Sequence, residues 1–297
     1  LHRTRERPAK PAERKTTTIH YLWLLPLGLL IGAFGTLIGA GGGFILVPIL
    51  LLVYPNEKTE LITAISLAVV FFNALSGSFA YARMKRVDYK SGIIFAIATI
   101  PGAILGAFST AYIPRRAFDL IFGVLMIVAA VFLWLSAKED RSMSRSPTIV
   151  PISEKATTRL TERHIVDADG IHYRYAFDLR IGVLLSIFVG YLSSLLGVGG
   201  GFIHVPALAQ LLNFPIHIAT ATSHFVLAIM ALTGTLTHIA QGVFVHGIWR
   251  TTVLAIAVLI GAQAGAWLSN RVGGKMIIRG LAVALLFVGI RLILAEY

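Results

Sequence analysis

The sequence has no cysteine, and only 13% of its 297 residues are charged. The first absence excludes disulfides, thiol catalysis and cysteine-ligated metals. The second is far below the roughly 25% charge that covers an ordinary soluble domain. Acidic residues are scarcest: 14 Asp and Glu face 26 Lys and Arg. None of the acids falls in the middle of a long apolar run, so a buried carboxylate proton relay is not expected. Catalytic signatures are missing too. There is no G-x-S-x-G, H-E-x-x-H, Walker or dinucleotide-binding motif, so no enzymatic activity and no cofactor is expected.

Apolar residues make up 56% of the chain, and they are concentrated in long charge-free stretches. These include 21–54, 61–82, 91–112, 181–214 and 251–270. A membrane-spanning helix needs about 20 such residues. The expected fold is therefore an all-α integral membrane protein, multi-pass, in the cell (inner) membrane. The formal charge of +12 lies at the ends of these stretches and in the tails. That placement suits membrane orientation and anionic lipid heads rather than nucleic acid. Trp23, Trp134, Trp249 and Trp267 fall near segment ends, as an aromatic belt requires. The polar, basic start followed by a very long apolar run does not read as a cleavable signal peptide.

The chain repeats itself. Residues 39–48 read GAGGGFILVP and residues 197–206 read GVGGGFIHVP, with eight of ten positions alike. Thr63-Ala64-Ile65-Ser66 then pairs with Thr220-Ala221-Thr222-Ser223, and Ser76-Gly77-Ser78 with Thr233-Gly234-Thr235. Gly102-Ala103 and Gly106-Ala107 pair with Gly261-Ala262 and Gly265-Ala266. Two homologous four-helix halves are expected, about eight transmembrane segments in all. The divisions are a basic tail 1–20, a first repeat 21–137, a loop 138–178 and a second repeat 179–297. Around Asp167-Ala168-Asp169-Gly170 the loop alternates like a β-hairpin.

Assigned to alternate loops, Lys and Arg fall 20 to one side and 6 to the other, or 12 to 6 with the long loop discounted. Both termini and the hairpin are thereby expected to be cytoplasmic. Four crossings per half make the repeats parallel. A glycine-rich segment that crossed twice would invert them and put the basic 83–90 loop outside, which the count disfavours.

Each half opens on a segment too long for one straight crossing. Residues 21–54 as a single helix would span about 51 Å, against about 30 Å of hydrocarbon. Gly41-Gly42-Gly43 with Pro48, and Gly199-Gly200-Gly201 with Pro206, should break it. A break frees backbone groups that lipid cannot satisfy, so it must face protein or water. The half-helices starting at Phe44 and Phe202 would then offer unpaired N–H groups to an anion. The plainer reading, glycine for tight helix packing, accounts for Gly28/Gly32, Gly102/Gly106 and Gly261/Gly265.

Neutral polar residues inside the segments extend the candidate substrate site: Thr63, Ser66, Asn73, Ser194, Thr220, Thr222, Ser223 and His224. Ser193 and His238 are also inside. Any single hydroxyl is explained by a bond to its own helix. The clusters 63–66 and 220–224 stand out because both halves place hydroxyls there. His204 and His224 are the candidates for proton coupling, with sodium as the other coupling ion. Three histidines on separate segments with no carboxylate do not make a metal site.

The paired G-x-G-G-G-F motifs, the run after each, the P-G-A-x-x-G-A segment at 101–107 and the D-A-D-G loop resemble the sulfite exporter family of the TauE/SafE type. The resemblance covers the chain from about residue 21. It maps the family motif onto Gly39, Gly41–Gly43, Phe44 and Pro48, and onto Gly197, Gly199–Gly201, Phe202 and Pro206. It implies transport of sulfur-containing oxyanions or organosulfonates such as sulfite, sulfoacetate or taurine-related compounds. The expected function is a secondary exporter of such small anions, working by alternating access, as a monomer or homodimer. An anion channel, or transport of another small organic anion, is the alternative. Ile65 and Leu67 stand where Thr222 and His224 stand, so the two halves do not offer equal polar groups.

Overall fold

The computed structural model describes residues 23–139, 160–269 and 275–294. The basic tail and residues 140–159 of the central loop lie outside the described residues. The first half contains α1 (Leu24–Ile38), α2 (Gly43–Val53), α3 (Thr59–Arg83), α4 (Tyr89–Thr110) and α5 (Arg115–Glu139). A two-stranded antiparallel sheet follows, β1 (Leu160–Val166) with β2 (His172–Asp178). The second half contains α6 (Leu179–Leu196), α7 (Gly201–Leu211), α8 (Ile216–Ala240), α9 (Ile248–Leu268) and α10 (Lys275–Leu294).

Five of these helices are long and apolar enough to cross a bilayer: α3, α4, α6, α8 and α9. Their outward faces are greasy. Ile97, Leu105, Leu184 and Ile260 are each more than 60% exposed. Water would penalise such a surface and hydrocarbon does not.

The glycine-rich segments do not cross once, as four crossings per half would require. Gly39 ends α1 and Gly197 ends α6, each in the left-handed conformation that favours glycine. Gly41 and Gly42, and Gly199 and Gly200, also have positive φ. These linkages reverse the chain. Gly42 comes back against Ile31, and Gly200 against Val189 and Ser193. Each segment is thus a helix, a glycine turn and a shorter returning helix.

Helix directions confirm the reversal. α1 runs parallel to α9, with Gly28 against Ala257 and Gly32 against Val258. α9 runs parallel to α3, with Gly247 against Leu61 and Ile65, and Leu259 and Gln263 beside Ser76. So α1 and α3 point the same way, and α2 must bring the chain back between them. Likewise α6 runs parallel to α4, with Gly102 against Ile187 and Gly106 against Tyr191. The central pair, α3 and α8, is antiparallel: Gly77 meets His224 and Gly234 meets Leu67.

The expected topology is therefore corrected. The start of α1 lies at one face of the bundle and the β-hairpin at the other. With the opening segment turning back, three helices follow it in each half, α3–α5 and α8–α10, and of these α3, α4, α8 and α9 are long and apolar enough to cross. On the face where α1 starts, Arg250 stacks on Tyr54 at 4.0 Å and pairs with Glu57 at 2.8 Å, while Arg115 donates to the carbonyls of Leu51 and Glu57. On the other face the hairpin is clamped down. Arg86 reaches Asp167 at 3.2 Å and Asp169 at 3.1 Å, and the Ala168 amide donates to the Met84 carbonyl. Tyr175 donates to Asp88 at 2.8 Å, and Arg163 donates to Ser91 at 3.1 Å. Beneath, Tyr175 and Phe177 pack on Phe214, which follows α7.

Candidate functional site

The two glycine turns enter from opposite faces and meet in the centre. A Cβ on Gly43 would collide with the Val198 carbonyl oxygen, and one on Gly201 with the Gly39 carbonyl oxygen and with Ala40. Only glycine permits this backbone-on-backbone contact. Phe44 and Phe202 face each other, ring centroids 6.0 Å apart. The amides of Gly43 and Phe44, and of Phe202, open α2 and α7, where no intrahelical carbonyl is available to them, while the Gly201 amide donates to the Gly199 carbonyl.

The threonine runs seat these turns. Thr63 packs against Gly197, and Thr220 against Gly39. The Thr63 hydroxyl bonds its own helix, to the carbonyls of Thr59 and Glu60, so the plainer reading holds for that hydroxyl. Ser66 donates to the Gly197 carbonyl at 2.6 Å and ties α3 to the second turn. Ser223, its repeat partner, lies 3.3 Å from His204 Nδ1, and Ser186 lies 3.4 Å from Nε2. His204, Ser223, Thr99, Gly200 and Gly201 border a cavity with room for about one water.

A second polar cluster sits beside the first turn. Thr36 donates to Asn73 Oδ1 at 3.0 Å, and Tyr81 donates to the Thr36 carbonyl at 2.8 Å. Asn73 Nδ2 has no partner, and neither ring nitrogen of His224 reaches hydrogen-bond geometry, although the carbonyls of Gly39 and Thr220 are near the ring. His224 stands edge-on to Tyr81 at 5.5 Å. Thr36, Asn73 and His224 are fully buried. A buried donor without an acceptor costs about 1–3 kcal/mol, so several together need a reason. Ser193, Ser194 and His238, near the second turn and α8, also carry unpaired side-chain atoms.

Most of the residues singled out in the sequence therefore converge here: Gly41–Gly43, Phe44, Gly199–Gly201, Phe202, Thr63, Ser66, Asn73, Ser194, Thr220, Ser223, His204 and His224. Thr222 does not. Its hydroxyl accepts from the Asp88 amide at 3.0 Å, under the β-hairpin. Thr36, Tyr81, Thr99 and Ser186 were missed. Thr36 carried a signal, since it occupies the repeat position of Ser194. Tyr81 likewise occupies that of His238.

Charge is confined to the rims. Burial pushes the Asp167 carboxyl up, but the Ile171 and Asp169 amides and the Arg86 guanidinium outweigh this and hold it below the usual carboxylate range. Burial and the Asp88 carboxylate raise the Tyr175 phenol, so it stays a protonated donor. Among the described residues no group of three or more His, Asp or Glu could hold a metal ion.

The family model described as sulfite exporter TauE/SafE matches residues 24–292. The chain is 32% identical over 280 residues to "Probable membrane transporter protein YunE" of Bacillus subtilis, covering 92% of this chain and 97% of that protein. It is 23% identical over 271 residues to "Probable membrane transporter protein MJ0441" of Methanocaldococcus jannaschii, covering 86% and 90%. "Probable membrane transporter protein YdhB" of Bacillus subtilis is 27% identical over 247 residues, covering 82% and 85%. No solved structure matches the chain.

Proposed function

Because the chain belongs to the sulfite exporter TauE/SafE family, we propose that this membrane transporter exports small sulfur-containing anions, such as sulfite or organosulfonates, by alternating access. The observation that carries the reading is the meeting of two glycine turns amid buried, unpaired hydrogen-bond donors. A sulfite or sulfonate group is compact, negative and rich in acceptor oxygens. Helix N-termini inside the bilayer suit it without a cationic side chain. The lack of a carboxylate there removes the charge that would repel it.

The halves act as inverted repeats, each a re-entrant hairpin followed by three crossings. Exchange of the two hairpins' environments would open the centre to one face and then to the other, as in other inverted-repeat carriers. His204 and His224 are the groups available to a coupling proton, and sodium is the other candidate ion. The protein works in the cell membrane as a monomer or homodimer.

The test is uptake of labelled sulfite, sulfoacetate and taurine into vesicles reconstituted with the full chain. Saturable uptake that the unlabelled anion accelerates from the far side is expected. Uptake equal to that of empty vesicles across the panel overturns the substrate class. Single-channel currents without counterflow replace the carrier with the channel.

A further inference from the structure

Resting on that reading, we propose that the oxyanion is held lopsidedly, by the first glycine turn and the Asn73 and His224 side chains, and not by their repeat counterparts. The two halves bring the same backbone to the centre but different side chains. On one side Thr36, Asn73, Gly77 and Tyr81 from the first half meet His224 from the second. The matching positions on the other side are Ser194, Met230, Gly234, His238 and Leu67. Met230 and Leu67 donate nothing where Asn73 and His224 can.

The first cluster is organised as a donor set. Thr36 occupies Asn73 Oδ1 with its hydroxyl, which turns the amide so that Nδ2 is left over. That nitrogen points at the start of α2: a Cβ on Gly35 would lie 2.8 Å from Asn73 Nδ2 and 2.5 Å from the Gly42 amide nitrogen, so both crowd one spot. On the other flank of Thr36, a Cβ on Gly77 would touch both the Thr36 methyl and the His224 ring. The unpartnered Asn73 amide nitrogen and the His224 ring, both fully buried, thus bracket Thr36 beside an 11-residue helix start. The donors gain acceptors when the hairpin tip withdraws and a multi-oxygen anion takes its place. Tyr81 is a positioning residue, since its hydroxyl holds the Thr36 carbonyl and leaves the Thr36 side chain free to orient Asn73.

The measurement is sulfite KM and Vmax in proteoliposomes, with thermal stability in detergent followed alongside. Asn73→Ala should raise KM about tenfold, the loss of one hydrogen bond. Asn73→Asp, nearly the same shape, should raise it further, because an acceptor and a negative charge replace the donor. His224→Phe should behave like Asn73→Ala, and His224→Gln, which keeps a donor, should recover most of the affinity. An Asn73→Asp variant with wild-type KM and stability overturns the proposal. That result would mean that position 73 accepts from the Gly42 amide and is structural. A wild-type protein that carries no sulfur oxyanion fails at the substrate class instead, and the two failures are read from different samples.

Discussion

Adding one methyl group at Gly43 tests whether the two glycine turns touch. Its Cβ would collide with the Val198 carbonyl oxygen and sit 2.7 Å from that of Gly197, where ordinary contact begins at 3.4 Å. The obstacles are backbone atoms, so no rotamer can yield, and the turns must separate by about 1 Å. Overpacking of this kind costs about 1–3 kcal/mol. Without the contact the sign would reverse, because alanine in place of a helical glycine stabilises by up to about 1 kcal/mol. Gly201→Ala meets the Gly39 carbonyl and Ala40 in the same way. Both substitutions part the same two turns, so the second finds part of the separation already made. The double variant should cost less than the sum of the singles, by an amount in the range of about 0.5–3 kcal/mol seen for coupled neighbours. Equilibrium unfolding in mixed micelles, followed by tryptophan fluorescence, measures all four proteins. Single variants as stable as the parent, or strictly additive costs, would refute the contact.

The absence of cysteine makes topology direct to test. Single cysteines replacing Trp23, at the start of α1, and Asp169 should react with an impermeant maleimide from opposite sides of a sealed vesicle, and labelling from the same side would contradict the turning-back of α1 and α2. The hairpin clamp predicts an acid transition. Asp167 is held below the usual carboxylate pKa of about 4, so its contribution is fully present above that value and is lost as pH falls through the lower, folded one. Arg86→Ala removes one lowering influence, so undocking should begin at a higher pH. Hydrogen exchange of the amides of 160–178 reads this, and an unchanged midpoint would refute the role of the pair.

Much of the fold was legible because its signals are local. Charge-free runs give the helices, and three successive glycines followed by proline give the breaks. The Asp-Gly turn gives the sheet, whose strands reach Leu160 and Asp178, beyond the short alternation visible in the sequence. The repeat was legible because Gly43 and Gly201 are each pressed on the other half's backbone, which tolerates no other residue there. The site was only half legible. Asn73 and His224 stand out as polar groups in apolar stretches. Thr36 and Tyr81 do not, because their importance comes from contacts 37 and 45 residues away in the chain. Thr222 misled for the converse reason. It sits in the right run, but that face of α8 turns toward Asp88 and the hairpin.

Direction was the one global property that local signals could not carry. Counting Lys and Arg requires knowing which loops share a side, and that depends on parity alone. One segment that turns back instead of crossing reassigns every loop after it. With the observed directions, the basic 83–90 loop and the hairpin region stand together, facing away from the start of α1, and the lopsided count between the faces shrinks. The charges that weighed most in the count are also engaged. Arg86 is 6% exposed and bound to Asp167 and Asp169, and Arg163 leans on Asp88 at 3.5 Å. These arginines fasten the hairpin over the end of α3, the start of α4 and the approach to α7. The same docking places a bonded lid above the end of the bundle into which Tyr81 and His224 extend. Any passage through that face must part these ion pairs, whereas the opposite face is closed by Arg250 on Tyr54 and Glu57 and by Arg115 on Leu51. The two barriers are built from different residues although the backbone between them repeats. Sequence repetition therefore accounts for the paired glycine turns, while the contacts at each end of the bundle are set separately.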